Sequence, residues 1–262
     1  MGKLEGKVAV ITGGSIGIGE TTVRLFAEEG ARVVIADILD DEGRSLADSL
    51  GKSATFLHVD VTSERDIKSA VDLALSHFGS LDIMFNNAGA MVARGSILEI
   101  SSEAFDGALA LLVRSVFVGM KHAGRILAKQ GSGSIISTAS IAGMLPGGGP
   151  HIYSTAKAAV IHLTKSVALE LGESGVRVNC ICPGGVPTKL VLDVLGASKD
   201  DLEAVKEGMS TTQPLPRSGL AEDVANAALW LSSEDASYVT GQALAVDGGA
   251  ATGVMWSKQA LK

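Results

Sequence analysis

Short apolar runs alternate with helix-period stretches along almost the whole chain, and that alternation limits the fold more than any other feature. Runs at 8–11, 33–36, 55–59, 83–85, 134–137, 176–181 and 243–246 are three to six residues long, rich in Val, Ile and Ala, and mostly bounded by Gly, Asn or Asp. They read as strands. Between them, 18–29, 41–50, 64–78, 102–128, 152–173 and 222–232 carry helical periodicity. Strands buried on both faces lose the polar alternation of a half-exposed sheet, and these runs show almost none. The pattern predicts α/β architecture: one doubly wound parallel sheet of about seven strands with helices on both faces. No linker or change of composition divides residues 1–262, so a single domain is expected. The least regular stretch, 184–219, mixes Gly, Pro and Ser with the apolar patch Leu190-Val191-Leu192-Asp193-Val194-Leu195, and reads as a cover over a site.

Composition narrows the function classes. Net charge is −7, and no basic stripe exists to meet phosphates, so nucleic acid is a poor partner. No apolar run approaches the roughly 18 residues of a membrane span. The amino-terminal residues lack the apolar core of a secretory signal. Cys180 and Cys182, the two cysteines, are one residue apart with no second pair, a poor zinc spacing, so no metal site is expected. Two buried thiols fit a reduced, cytoplasmic setting.

The first strand runs directly into Thr12-Gly13-Gly14-Ser15-Ile16-Gly17-Ile18-Gly19. Strand, glycine turn and helix together make an anion site: the backbone can approach a diphosphate, and the helix start offers free N–H groups. The same residues also satisfy G-x-S-x-G, the nucleophile elbow of α/β-hydrolases, with Ser15 as nucleophile. That elbow usually follows several strands, and none of His58, His77, His122, His151 and His162 stands in an obvious triad position. Eighteen residues after Gly19, the second strand ends on Asp37. A carboxylate there accepts hydrogen bonds from an adenosine ribose and repels a 2′-phosphate, and no Lys or Arg follows it in Ile38-Leu39-Asp40-Asp41. This favours NAD over NADP.

Tyr153-Ser154-Thr155-Ala156-Lys157 opens a helix, and a spacing of four places Tyr153 and Lys157 one turn apart on one face. A phenol titrates near 10 and is a weak base at neutrality. A neighbouring ammonium lowers that value, and a proton donor or acceptor near working pH suits alcohol oxidation or carbonyl reduction. Ser140, thirteen residues earlier, can donate to a substrate oxygen.

The spacing T-G-x-x-x-G-I-G, the Asn86-Asn87-Ala88-Gly89 run, Ser140 with Tyr153 and Lys157, and Pro183-Gly184-Gly185-Val186-Pro187-Thr188 together resemble the short-chain dehydrogenase/reductase family, over nearly the whole chain. The resemblance implies a Rossmann-type fold and a catalytic set of Ser140, Tyr153 and Lys157. It implies that Gly13, Ser15, Gly17, Ile18 and Gly19 cradle a diphosphate, and that Asp60 and the backbone of Val61 hold an adenine. It further implies that Asn87, Ala88 and Gly89 lie against a ribose, and that Pro183, Gly184, Val186 and Thr188 hold a nicotinamide amide. Tyr153 and Lys157 would also touch the cofactor.

Substrate walls in this family come from three places. Here they are Met91 and Val92, then 141–151, then 190–195, mostly apolar or small. A small lipophilic alcohol or ketone therefore fits better than a charged acid, and His151 is a candidate lining residue. Val118-Gly119-Met120-Lys121-His122-Ala123 and Gly147-Gly148-Gly149-Pro150-His151 resemble the branch that oxidises terpenoid and related alcohols, among them borneol, xanthoxin and secoisolariciresinol dehydrogenases. A monoterpenol such as borneol is the specific expectation. The alternatives are a 3-oxoacyl-thioester, sugar or steroid enzyme on the same scaffold, and a non-catalytic NAD-binding regulator. Family resemblance also implies a homotetramer, with Trp230 and Trp256 as candidate contact residues.

One position departs from the family. Many members carry an Asn in the long helix before the serine, as V-N-x-x-x-x-F, where it holds a water that links the lysine to solvent. Aligned on Phe117, that position is Leu112, and a shift of one gives Leu111 or Val113. The expectation is a relay through a backbone carbonyl or another water route, or slowed turnover.

Overall fold

The computed structural model describes residues 2–198 and 201–253. Seven strands form one parallel sheet: β1 Val8–Thr12, β2 Arg32–Asp37, β3 Ala54–His58, β4 Ile83–Asn86, β5 Gly133–Thr138, β6 Val176–Pro183 and β7 Ala243–Val246, in the order β3-β2-β1-β4-β5-β6-β7. Each expected strand is present to within two residues. The order reverses direction between β1 and β4, where Val10 lies beside Val34 on one side and Met84 on the other. A doubly wound sheet opens a crevice at such a reversal, beyond the carboxyl ends of its strands.

Every residue of β1 is buried because both faces are covered. Its side chains alternate between two cores. Val8 and Val10 join a core with Val34, Met84, Ile135 and Val178. That face is covered by α3 (Glu64–Leu73), α5 (Ser115–Gln130) and α6 (His151–Gly172). Ala9 and Ile11 join a second core with Val33, Ile35, Phe26 and Leu231 beneath α1 (Gly17–Glu28), α2 (Asp40–Leu50) and α9 (Ala221–Ser232).

Two helices differ from their expected form. The helix expected over 64–78 is α-helical to Leu73 and then widens into a π turn at Ala74–Phe78. The long helix expected over 102–128 is α4 (Ser102–Leu109), a π turn at Ala110–Arg114, and then α5. A π turn adds one residue to a turn without breaking an apolar pattern, so each stretch carries the sequence signature of a single helix. The stretch 184–219 is more regular than its composition suggests, with α7 (Lys189–Leu195) and α8 (Leu202–Met209). Trp256 lies outside the described residues.

Candidate active site

The glycine turn is compact because its neighbours leave no room for side chains. Gly13 has φ +62°, a left-handed conformation, and a side-chain carbon on it would lie 2.8 Å from Ala88 Cα. One on Gly19 would fall 1.8 Å from the Gly13 carbonyl oxygen. One on Gly17 would meet the Thr188 methyl at 3.5 Å, so the 183–188 segment closes over the turn. The Ile16 side chain makes no cap hydrogen bond to α1, so the N–H groups of its first turn face outward without a side-chain acceptor from that position. The Ser15 hydroxyl is buried with no hydrogen-bond partner and lies toward Gly43 of α2, where a side-chain carbon would come within 2.8 Å of it.

Asp37 is buried at the edge of this turn. Its Oδ2 accepts from the Ser15 N–H at 2.9 Å, and its Oδ1 from Ile38 and Leu39 N–H at 2.7 and 3.2 Å. A carboxylate has about four acceptor sites. The backbone occupies three and leaves room for a further donor such as a ribose hydroxyl. Asp40, Asp41 and Glu42 add negative charge in the first turn of α2. The nearest cation in that helix, Arg44, lies 3.7 Å from Asp40 and stacks over the Phe56 ring.

Asn87 fastens the centre of the crevice. Its amide nitrogen donates to the Thr12 and Gly13 carbonyls at 3.2 and 3.1 Å, and its Oδ1 accepts from the Thr138 hydroxyl at 3.0 Å. One side chain thus joins the ends of β1, β4 and β5. The Thr12 hydroxyl accepts from the Asn87 and Ala88 N–H groups at 3.0 and 3.1 Å. Asp60 stands apart: it is exposed, and its carboxylate accepts from the Thr62 N–H and hydroxyl at 2.8 and 2.7 Å, within its own turn. Val61 beside it is buried.

Beyond β5, Ser140 starts a short 3-10 turn and accepts from the Ala142 N–H at 3.1 Å. Tyr153 and Lys157 lie one turn apart on α6, both buried, with the ammonium 5.5 Å from the phenol ring centre. The Ser140 side chain lies near enough to the Tyr153 hydroxyl to favour its ionised form. Lys157 Nζ donates to the Thr138 carbonyl at 2.6 Å. Gly149 allows the approach of the preceding loop, since a side-chain carbon there would meet the Tyr153 ring at 3.1 Å.

The electrostatics correct one expectation. Burial pushes the Tyr153 hydroxyl above its ordinary value and outweighs the opposing effect of Ser140. Burial likewise holds Lys157 down to about 8. In the free protein the two groups are tuned by loss of water first.

Met91 and Val92 pack against the cluster of Leu112, Ala142, Tyr153 and Ala156, as the substrate-wall expectation requires. Leu192 is buried, while Met144, Leu145 and His151 are exposed at the rim. Val186 is buried, and Gly184 donates its N–H to the Val246 carbonyl at 3.0 Å. Thr138 was not singled out from sequence. The signal available was its place as the last residue of a strand that ends in the crevice.

Comparison with known proteins gives consistent relatives. A family model described as enoyl-(acyl carrier protein) reductase matches residues 13–251. Momilactone A synthase of Oryza sativa subsp. japonica is 47% identical over 251 residues, covering 94% of this chain and 90% of that protein. (+)-Borneol dehydrogenase 2 of Salvia officinalis is 46% identical over 256 residues, with the same shares covered. The solved structure of levodione reductase superposes with a TM-score of 0.88 at 30% identity, covering 96% of this chain and 100% of that one.

Proposed function

The chain belongs to the short-chain dehydrogenase/reductase family of oxidoreductases, and from that premise we propose that it interconverts a lipophilic secondary alcohol and its ketone with NAD as cofactor. The observation that carries the reading is the meeting of Ser140, Tyr153 and Lys157 at the crevice where the sheet order reverses. The compact glycine turn and the buried Asp37 suit a dinucleotide laid along that crevice.

When bound, NAD supplies the hydride acceptor. The residues of this chain do the rest. Gly13, Ser15, Gly17, Ile18 and Gly19 hold the diphosphate, Asp37 takes a ribose hydroxyl, and Val61 and Asp60 flank the adenine. Asn87, Ala88 and Gly89 support the second ribose, while Pro183, Gly184, Val186 and Thr188 orient the nicotinamide amide. Tyr153, as phenolate, takes the alcohol proton, and Ser140 donates to the same oxygen. Lys157 stabilises the phenolate. The segment 184–219, anchored by Gly219 N–H to the Gly185 carbonyl at 3.1 Å, covers the substrate. The apolar side chains of Met91 and Val92, packed against the Tyr153 cluster, support a terpenoid-like alcohol, borneol being the first compound to try.

Purified protein given NAD and a panel of bicyclic, monocyclic and linear secondary alcohols is expected to form NADH fastest with the bulky lipophilic members. Preference for a sugar, a steroid or an acyl thioester would overturn the substrate class. Rates with NADP matching those with NAD would overturn the cofactor assignment.

The same reading makes the protein a cytoplasmic homotetramer. Exposed Phe117 on α5, Leu169 on α6 and Trp230 on α9 supply apolar surface for contacts between copies, and both cysteines are free thiols. Among the described residues, no helix is long and apolar enough to cross a membrane. Light scattering is expected to give a mass of four chains, with the protein in the soluble cytoplasmic fraction; a monomer or a membrane pellet would contradict this.

A further inference from the structure

The helix between Ser102 and Gln130 loosens once, in the π turn at Ala110–Arg114. Single π turns concentrate at working sites because they redirect side chains without ending the helix. Here the turn delivers Leu112 to the Tyr153 cluster, at 1% exposure, against Ala142 and Ala156. Gly89 measures how close it comes. A side-chain carbon on Gly89 would lie 3.3 Å from Leu112 Cδ2 and 3.7 Å from Lys157 Nζ. A leucine methyl and an ammonium therefore flank one backbone position.

An ammonium carries three donors. The Thr138 carbonyl is the one acceptor the structure gives Lys157 among the described residues. The other groups that face it are the Tyr153 ring on its own helix and the Cys180 and Cys182 thiols of β6. No carboxylate is among them.

We propose that Leu112 is a positioning residue that keeps water from the helix side of Lys157, so that the ammonium is held by Thr138 and exchanges protons only through Tyr153 and the substrate mouth. The catalytic consequence rests on the function proposed above; the exclusion of water does not. An ammonium shut away from water without an anion favours its neutral form, which agrees with Lys157 held down to about 8 by burial. Such a lysine loses its charge before the buried phenol ionises, and so gives Tyr153 little help in the free protein.

The chain has two tyrosines, Tyr153 and the fully exposed Tyr238. In a Tyr238→Phe background, ultraviolet difference titration of the cofactor-free protein reads Tyr153 alone. Adding Leu112→Asn admits water and an amide oxygen beside Lys157. The lysine then stays charged to higher pH, and Tyr153 ionises about one pH unit lower or more. Leu112→Met, similar in volume but without a comparable acceptor, is expected to leave the curve in place. If Leu112→Asn does not fold, Leu112→Thr makes the same test with a smaller polar change. An unchanged curve in a folded polar variant, or an equal shift in Leu112→Met, overturns the proposal. The titration needs no turnover. A shifted curve in a protein that oxidises no alcohol would therefore refute the proposed function while leaving this inference standing.

Discussion

Replacing Tyr153 with Phe is expected to lower kcat/KM for alcohol oxidation by roughly 10²–10⁴-fold, the range for loss of a positioned acid or base. The substitution removes one oxygen from a buried ring and leaves its packing against Leu112, Ala142 and Ala156 in place. Lys157 keeps its bond to the Thr138 carbonyl, and the glycine turn and Asp37 are untouched. NAD affinity, followed by fluorescence of bound NADH, is therefore expected to change far less than turnover. A loss of turnover under about tenfold would mean another group moves the proton. Affinity falling in parallel with rate would mean that Tyr153 serves binding and not chemistry.

Replacing Asp37 with Ser is expected to weaken NAD by about 10–100-fold, since a hydrogen bond to a charged group contributes about 1.5–3 kcal/mol. NADP is expected to lose much less, or to gain, because the variant removes the charge nearest its phosphate. The ratio of kcat/KM for NAD over NADP would then fall by close to that factor, and by more than it if NADP gains. A structural cost accompanies the change. Ser15, Ile38 and Leu39 each lose the acceptor of a backbone N–H, two of them bonded at 2.7 and 2.9 Å. Asp37→Asn keeps one acceptor oxygen and separates the two effects: stability is expected to recover in part while cofactor preference still shifts. Unchanged preference in a folded Asp37→Ser protein would place nucleotide discrimination elsewhere. Arg44, paired with Asp40 and stacked on Phe56, is the first residue to examine in that event.

Strands and the catalytic helix were readable in the sequence because they rest on local signals. Val8 to Ile11 is a continuous apolar run, and Tyr153 with Lys157 is a spacing of four. The reversal of strand order between β1 and β4 follows from the series of strands and helices together with the glycine turn. Four features were not readable, each for a physical reason. A π turn differs from an α turn by one residue, which the tolerance of an apolar pattern conceals at 74–78 and 110–114. The raised Tyr153 hydroxyl depends on burial by residues far away in sequence, Leu112 and Ala142 among them. Thr138 holds Lys157 through its backbone oxygen, which every residue possesses, so its side chain announces nothing. The segment 184–219 hid α7 and α8 because its Gly and Pro content masks two helices of seven and eight residues.

The wide turn at Ala110–Arg114 also fixes rotational phase. An α-helix advances about 100° per residue. A π turn takes up one residue more than an α turn, so deleting one residue inside it would restore regular winding and leave the helix beyond it in phase. Val116, Val118 and Met120 would keep the core they share with Ile135, while the placement of Leu112 beside Tyr153 would be lost. Deleting one residue in α5 itself, where no wide turn absorbs the change, would instead rotate everything beyond it by about 100°. A change of length is therefore expected to be tolerated by the packing at 110–114 and not in the regular turns that follow.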